Sequence, residues 1–136
     1  METTHHGREN WEPTRWHNFR YEELTDKLTG NCAMSASFMD SLQRLRTQFA
    51  KPMIISSGFR SPHHPLERRK AKPGAHAQGL AADIAISGKD SYLLLKLAMQ
   101  AGFHGIGIKQ HGEWNNRFIH LDKMARETPQ IWTYQE

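Results

Sequence analysis

Two short stretches hold the residues best suited to chemistry. In His76-Ala77-Gln78-Gly79-Leu80-Ala81-Ala82-Asp83 an imidazole lies in a turn bracketed by Gly74 and Gly79, and a carboxylate lies inside an apolar run. A carboxylate flanked by Ala82 and Ile84 is costly to bury unless it meets a cation or several donors. In Arg117-Phe118-Ile119-His120-Leu121-Asp122, strand alternation puts Phe118, His120 and Asp122 on one face and Ile119 and Leu121 in the core. Two imidazoles and a carboxylate form a donor set for zinc. Three protein ligands leave a fourth position open, as in catalytic rather than structural sites. Water in that position ionises near pH 7. The spacing is not a self-contained zinc signature such as His-Glu-x-x-His. Read singly, His120 could equally be a satisfied strand histidine, and Asp83 a turn residue or an ion-pair partner of Arg60.

These residues need elements to hold them. Phe38, Leu42, Leu45 and Phe49 recur at helical spacing and predict a helix over 37–50, capped by Ser35 or Ser37 and stopped before Pro52. Residues 52–58 read as a strand ending in a turn, and 59–75, with Pro62, Pro65 and Pro73, as a loop. Leu80–Ile86 reads as a second strand. Asp90 is expected to cap a second helix running to Ala101, with Leu94, Leu97, Ala98 and Ala101 as its buried stripe and Gly102 in the left-handed position after it. Residues 105–109 and 117–122 read as two strands joined by a polar loop, 111–116. This order predicts an α+β domain in which helices pack against a small antiparallel sheet. Residues 1–16 read as a loose lead-in, with Trp11 and Trp16 able to pack onto a single domain over 17–136.

Composition narrows the class. The chain has 136 residues, 38% of them hydrophobic and 24% charged, which suits one globular domain without disulfide staples. Cys32 is the single cysteine, so no internal disulfide forms. The longest apolar run, Tyr92–Leu95, ends at Lys96, which is far too short to span a membrane. The polar first ten residues do not read as a signal peptide. The net charge of +4 and pI near 9.4 favour anionic partners. Arg68, Arg69, Lys70 and Lys72 form the densest basic cluster, readable as a solvated loop. No helix-turn-helix, zinc-finger or RNA-binding signature accompanies it, so nucleic acid is not the expected partner.

Several motifs, taken in order, resemble one family: Ser57-Gly58-Phe59-Arg60-Ser61-Pro62, then Pro73-Gly74-Ala75-His76 through Asp83-Ile84, then Gly105-Ile106-Gly107-Ile108, then Phe118-Ile119-His120-Leu121-Asp122. They are similar to the D-alanyl-D-alanine carboxypeptidase and murein endopeptidase family of zinc peptidases. That family includes VanX-type dipeptidases and phage lytic peptidases, and hedgehog signalling domains share its fold. The likeness runs over roughly 17–134, from His17-Asn18-Phe19 to Ile131-Trp132-Thr133-Tyr134.

The resemblance implies one zinc per chain on His76, Asp83 and His120. It implies that Arg60 faces the substrate, holding a carboxylate or polarising the scissile carbonyl, and it assigns Phe118 to substrate binding. Two features depart from the family. Gly74 stands where many relatives carry serine, and Arg117 and Phe118 stand where a general base precedes the last ligand. Asp122 is therefore the expected base, or else a partner fixing a histidine ring, with His111 and Glu113 as rivals. The implied activity is hydrolysis of stem or cross-link peptides of bacterial peptidoglycan by a monomeric phage endolysin or virion-associated lysin. Such a protein is made in the host cytoplasm and acts on the wall. The alternative is a non-catalytic, zinc-stabilised peptidoglycan-binding module on the same fold.

Overall fold

In chain order the elements are β1 (His5–His6), α1 (Tyr21–Leu24), β2 (Met34–Ser35), α2 (Ala36–Phe49), β3 (Ile54–Ser57), α3 (Pro65–Arg68), β4 (Ala81–Ala85), α4 (Lys89–Gln100), β5 (Gly105–Lys109), β6 (Phe118–Asp122) and β7 (Gln130–Thr133). They come from a computed structural model that describes residues 5–135. The architecture is α+β, as the sequence pattern predicts.

The stripe of α2 does what its spacing requires. Phe38, Leu42 and Leu45 are fully buried, each contributing roughly 2 kcal/mol of transfer free energy. Ser35 caps the helix, its Oγ accepting from the Phe38 N–H at 3.3 Å. Ala50 closes it in the left-handed conformation, φ 58°. The start of α4 differs from expectation. Gly88 is the N-cap, and the Asp90 carboxylate is bound by Lys51 Nζ at 2.6 Å, so it is not available to cap.

The main sheet runs β3-β4-β6-β5-β7. Its first four strands are antiparallel, and β7 is added parallel to β5, pairing Ile106 with Ile131 and Gly107 with Trp132. Sequence reading did not place this edge strand, because its four residues show no clean polar–apolar alternation. One face of the sheet, with Ile84, Ile106, Ile119 and Leu121, joins Phe38, Leu42, Leu45, Leu94 and Ala98 in the core. Alternation then sends Asp83, Gly105, Gly107, His120 and Asp122 to the opposite face.

Residues 5–16 are not a loose lead-in. β1 pairs with β2, and Trp16 is fully buried, its Nε1–H donating to Asp40 Oδ1 at 2.9 Å. Arg15 grips the same carboxylate through two hydrogen bonds of 2.8 Å, while Trp11 packs edge-on against Trp16. Met1–Thr4, the first part of the predicted lead-in, lie outside the described residues.

Candidate metal centre

β4 and β6 set Asp83 directly opposite His120. His76 arrives from the turn before β4, whose reversal places Gly79 at φ 70° against the Ala33 carbonyl. A side chain at Gly79 would collide with that backbone, so glycine is required there. Asp83 Oδ1 lies 2.9 Å from His120 Nδ1 and 3.3 Å from His76 Nε2. One ligand atom from each of the three residues falls within 4.8 Å of the others. Ligands about 2.0–2.2 Å from a tetrahedral ion lie roughly 3.3–3.6 Å apart, so this spacing fits one zinc with little adjustment.

The outer nitrogens are fixed as well. His76 Nδ1–H donates to the Gly58 carbonyl at 2.8 Å, which leaves Nε2 with its lone pair toward Asp83. His120 Nε2 meets Asp122 Oδ2 at 2.7 Å, which leaves Nδ1 facing inward. An outer acceptor on each ligating imidazole sets tautomer and ring orientation in metal sites. Burial opposes ionisation of Asp83, yet hydrogen bonds and charge from His120 and His76 hold its pKa down at about 2. Burial likewise works against a charged His120, but Asp122 and Asp83 together raise its pKa. Placing a cation among these groups satisfies the same demand for positive charge that the two carboxylates create.

Asp122 lies against the outer nitrogen of His120. Its carboxylate is 1% exposed and sits behind the His120 ring, on the nitrogen that points away from Asp83 and His76. Arg126 Nη2 donates to Oδ2 at 2.9 Å and the Met124 N–H to Oδ1 at 3.2 Å. Gly105 makes room for it, since a Cβ there would overlap the Asp122 carboxylate. Of the two roles the sequence left open, the geometry corresponds to fixing a ligand ring. The rivals are also placed. His111 Nε2–H donates to the Tyr134 carbonyl at 2.9 Å. Glu113 is exposed at the start of the short 3-10 turn Trp114–Asn116.

Arg60 is bound through its backbone N–H to the His76 carbonyl at 3.2 Å. Its Nη1 lies 3.4 Å from Glu67 Oε2. Glu67, 1% exposed, also accepts from Lys70 Nζ at 2.7 Å and from the Gly74 N–H at 3.0 Å. One buried carboxylate thus ties Arg60, at the head of the 59–75 loop, to Gly74 at its tail. Burial works against the Glu67 charge, but Lys70, Gly74 and Arg60 more than compensate and lower its pKa.

Sequence reasoning missed the wall built by β7. The Trp132 ring lies 5.2 Å from that of His120, and Tyr134 lies 5.1 Å from Phe118, which is half-buried at the site's edge. A Cβ on Gly107 would come within 2.5 Å of Trp132 Nε1 and 2.6 Å of the Tyr134 hydroxyl. The second glycine of Gly105-Ile106-Gly107 therefore opens the space both groups occupy. The signal was present: glycine at alternate positions of a strand marks close approach by another group, and Trp-x-Tyr at strand spacing puts both rings on one face.

A mixed α+β sheet carrying a buried His-Asp-His trio, with outer partners on both rings, defines a metal-dependent hydrolase type of site. The family pattern of peptidase M15 matches residues 17–122, and the chain belongs to that family; it is a metallopeptidase by class. β7, Trp132 and Tyr134 lie beyond the matched stretch. No curated protein matches the chain. Among the described residues, no helix is long and apolar enough to cross a membrane.

Proposed function

We propose that this chain is a zinc-dependent peptidase that hydrolyses stem or cross-link peptides of bacterial peptidoglycan, acting as a monomeric lysin on the cell wall. The observation that supports this best is the convergence of His76 Nε2, Asp83 Oδ1 and His120 Nδ1, each ring held from behind by its own acceptor. Bound at those atoms, zinc supplies a Lewis acid and an acidified water.

The chain's own groups do the rest. With a pKa near 2, Asp83 stays anionic throughout the neutral range. Asp122 and the Gly58 carbonyl keep both imidazoles turned inward. Arg60, steadied by Glu67, presents a guanidinium that can hold a substrate carboxylate or carbonyl oxygen. Trp132 Nε1–H, a donor only, and the Tyr134 hydroxyl lie together over Gly107, where the phenol proton can be offered to a substrate oxygen. Phe118, Trp132 and Tyr134 give the site an aromatic wall. The net charge of +4 suits a wall polymer rich in carboxylates.

The test is release of soluble peptides from purified peptidoglycan, with and without chelator and after zinc is restored. Chelator-sensitive release that is absent in His120→Ala is expected, and the fragment masses would identify the bond cut. A zinc-loaded protein that binds peptidoglycan but releases nothing would favour the non-catalytic module instead.

A further inference from the structure

The positive charge of the chain is not spread over its surface. Residues 59–75 hold Arg60, Arg68, Arg69, Lys70 and Lys72 against a single acid, Glu67. That segment alone has a net charge of +4, the value for the whole chain, and the other residues balance at thirteen basic and thirteen acidic. Elsewhere several cations are neutralised in place: Arg15 by Asp40, Lys51 by Asp90 and Arg126 by Asp122. Within the loop, Glu67 occupies Arg60 and Lys70. Arg68, Arg69 and Lys72 are exposed, and their charged groups meet no acid among the described residues.

The backbone that carries these three is held in place. Glu67, buried, accepts from the Gly74 N–H and so pins the middle of the loop to its tail. The His64 carbonyl accepts from the N–H groups of Glu67 and Arg68 at 2.9 and 3.0 Å, and the Glu67 carbonyl from that of Lys70 at 3.0 Å. The loop also begins and ends against a metal ligand: the Arg60 N–H binds the His76 carbonyl, and Gly74 precedes His76 by two residues. A strand bound on the loop therefore stays close to the metal centre.

The spacing of the free cations says what kind of strand. They lie within five residues, a contour of at most about 14 Å. A partner that neutralises them together repeats its negative charge along one chain at comparable spacing. The carboxylates of peptidoglycan sit on separate peptide branches, whereas a phosphodiester-linked polymer carries a charge at every link, and guanidinium groups match phosphate oxygens in pairs. Nucleic acid calls for aromatic platforms under its bases, but Phe59, the loop's one phenyl, phenol or indole ring, is buried. A membrane surface calls for an apolar face, and Leu66 is the single large apolar side chain that the loop exposes.

We propose that the exposed side of the 59–75 loop docks on a phosphodiester-linked polymer of the bacterial wall through Arg68, Arg69 and Lys72, keeping the metal centre against the wall. That the polymer belongs to the wall rests on the peptidase reading; the binding chemistry does not.

Fluorescence anisotropy of labelled poly(glycerol phosphate), titrated with the zinc-loaded chain, is the test. Binding should weaken about 20-fold between 50 and 200 mM salt, the dependence for about three phosphates neutralised on a flexible strand. Arg68→Gln/Arg69→Gln/Lys72→Gln should weaken it about tenfold or more at 50 mM salt; Lys70 stays because it pairs with Glu67. Arg20→Gln/Lys89→Gln/Lys96→Gln, which removes as much charge from other exposed positions, should change binding less than about twofold. Equal losses in the two triple variants would make the effect one of net charge and overturn the docking surface. So would absence of binding, or tighter binding of poly-L-glutamate, oligothymidylate or phosphatidylglycerol vesicles compared at equal anionic charge. Chelator-sensitive peptide release from peptidoglycan stripped of phosphate polymers, measured on the same preparations, reports on the peptidase reading alone and should be unchanged in both variants.

Discussion

Asp122→Asn is the most informative single substitution, because it separates the two roles that the sequence leaves open for the residue. The carboxylate oxygen Oδ2 is shared by His120 Nε2 at 2.7 Å and Arg126 Nη2 at 2.9 Å. Asparagine keeps the shape but has one acceptor oxygen and one amide donor. Whichever way the amide turns, a donor ends up facing a donor, either the His120 and Arg126 N–H groups at the Oδ2 position or the Met124 N–H at the Oδ1 position. A negative charge that favours a cation on the far side of the ring is also lost. Removing an outer partner of a ligating histidine typically costs about 10- to 100-fold in metal affinity, or roughly 1.4–2.7 kcal/mol.

Zinc affinity is measured by competition with a chromogenic chelator, and hydrolysis is measured on the same preparation across a zinc titration. The expected result is weaker zinc binding, with much of the hydrolysis regained as zinc is raised. Unchanged zinc affinity combined with lost hydrolysis at every zinc concentration would refute the reasoning, restoring Asp122 to the role of general base.

Other consequences follow from the same geometry. His76→Ala, Asp83→Ala and His120→Ala should each fall from one zinc per chain to near none by elemental analysis; full zinc content in any of them removes that residue from the site. Arg60→Lys keeps the charge but loses the planar fork, so turnover should fall about 100- to 1000-fold while zinc stays bound. Gly107→Ala must displace Trp132 Nε1 and the Tyr134 hydroxyl, 2.5 and 2.6 Å from the new Cβ, and should cut peptide release about 10- to 100-fold with little change in melting temperature. Glu67 has a folded pKa below its unfolded value, so its stabilising contribution is fully present above about pH 4.5 and is lost as pH falls through the folded pKa. The difference in melting temperature between the unaltered chain and Glu67→Gln should therefore be large at pH 7 and shrink toward zero in acid; a difference independent of pH would contradict it.

The two main helices and strands β3, β4, β5 and β6 were legible because each has one buried face and one open face. Phe38, Leu42 and Leu45 declare a helix by period, and Ile119 and Leu121 declare a strand by alternation. The edges of the domain were not legible. β1 and β7 are short and carry no period of their own; pairing with β2 and β5 defines them. Trp16 lies in a segment with no repeat, and its burial rests on partners such as His6, Trp11 and the distant Asp40. Such elements are specified by tertiary partners, which a local pattern does not name.

The site divides along the same line. Residue types and order were enough to bring out His76, Asp83 and His120, because donor chemistry resides in single side chains. What each ring nitrogen does is a matter of geometry. Phe118, His120 and Asp122 share a face, so the sequence could say that Asp122 is near His120, but not on which side of the ring. The deciding feature is Gly105 on the neighbouring strand: without a Cβ, it lets the Asp122 carboxylate fold beneath the imidazole toward Nε2 instead of standing beside the trio. A side chain at Gly105 would exclude the carboxylate from that space and free it from the ring. Gly105→Ala should accordingly reproduce the zinc-affinity loss of Asp122→Asn with Asp122 itself intact, and the two substitutions combined should cost little more than either alone. Strict additivity of the two losses would mean that Gly105 does not act through Asp122.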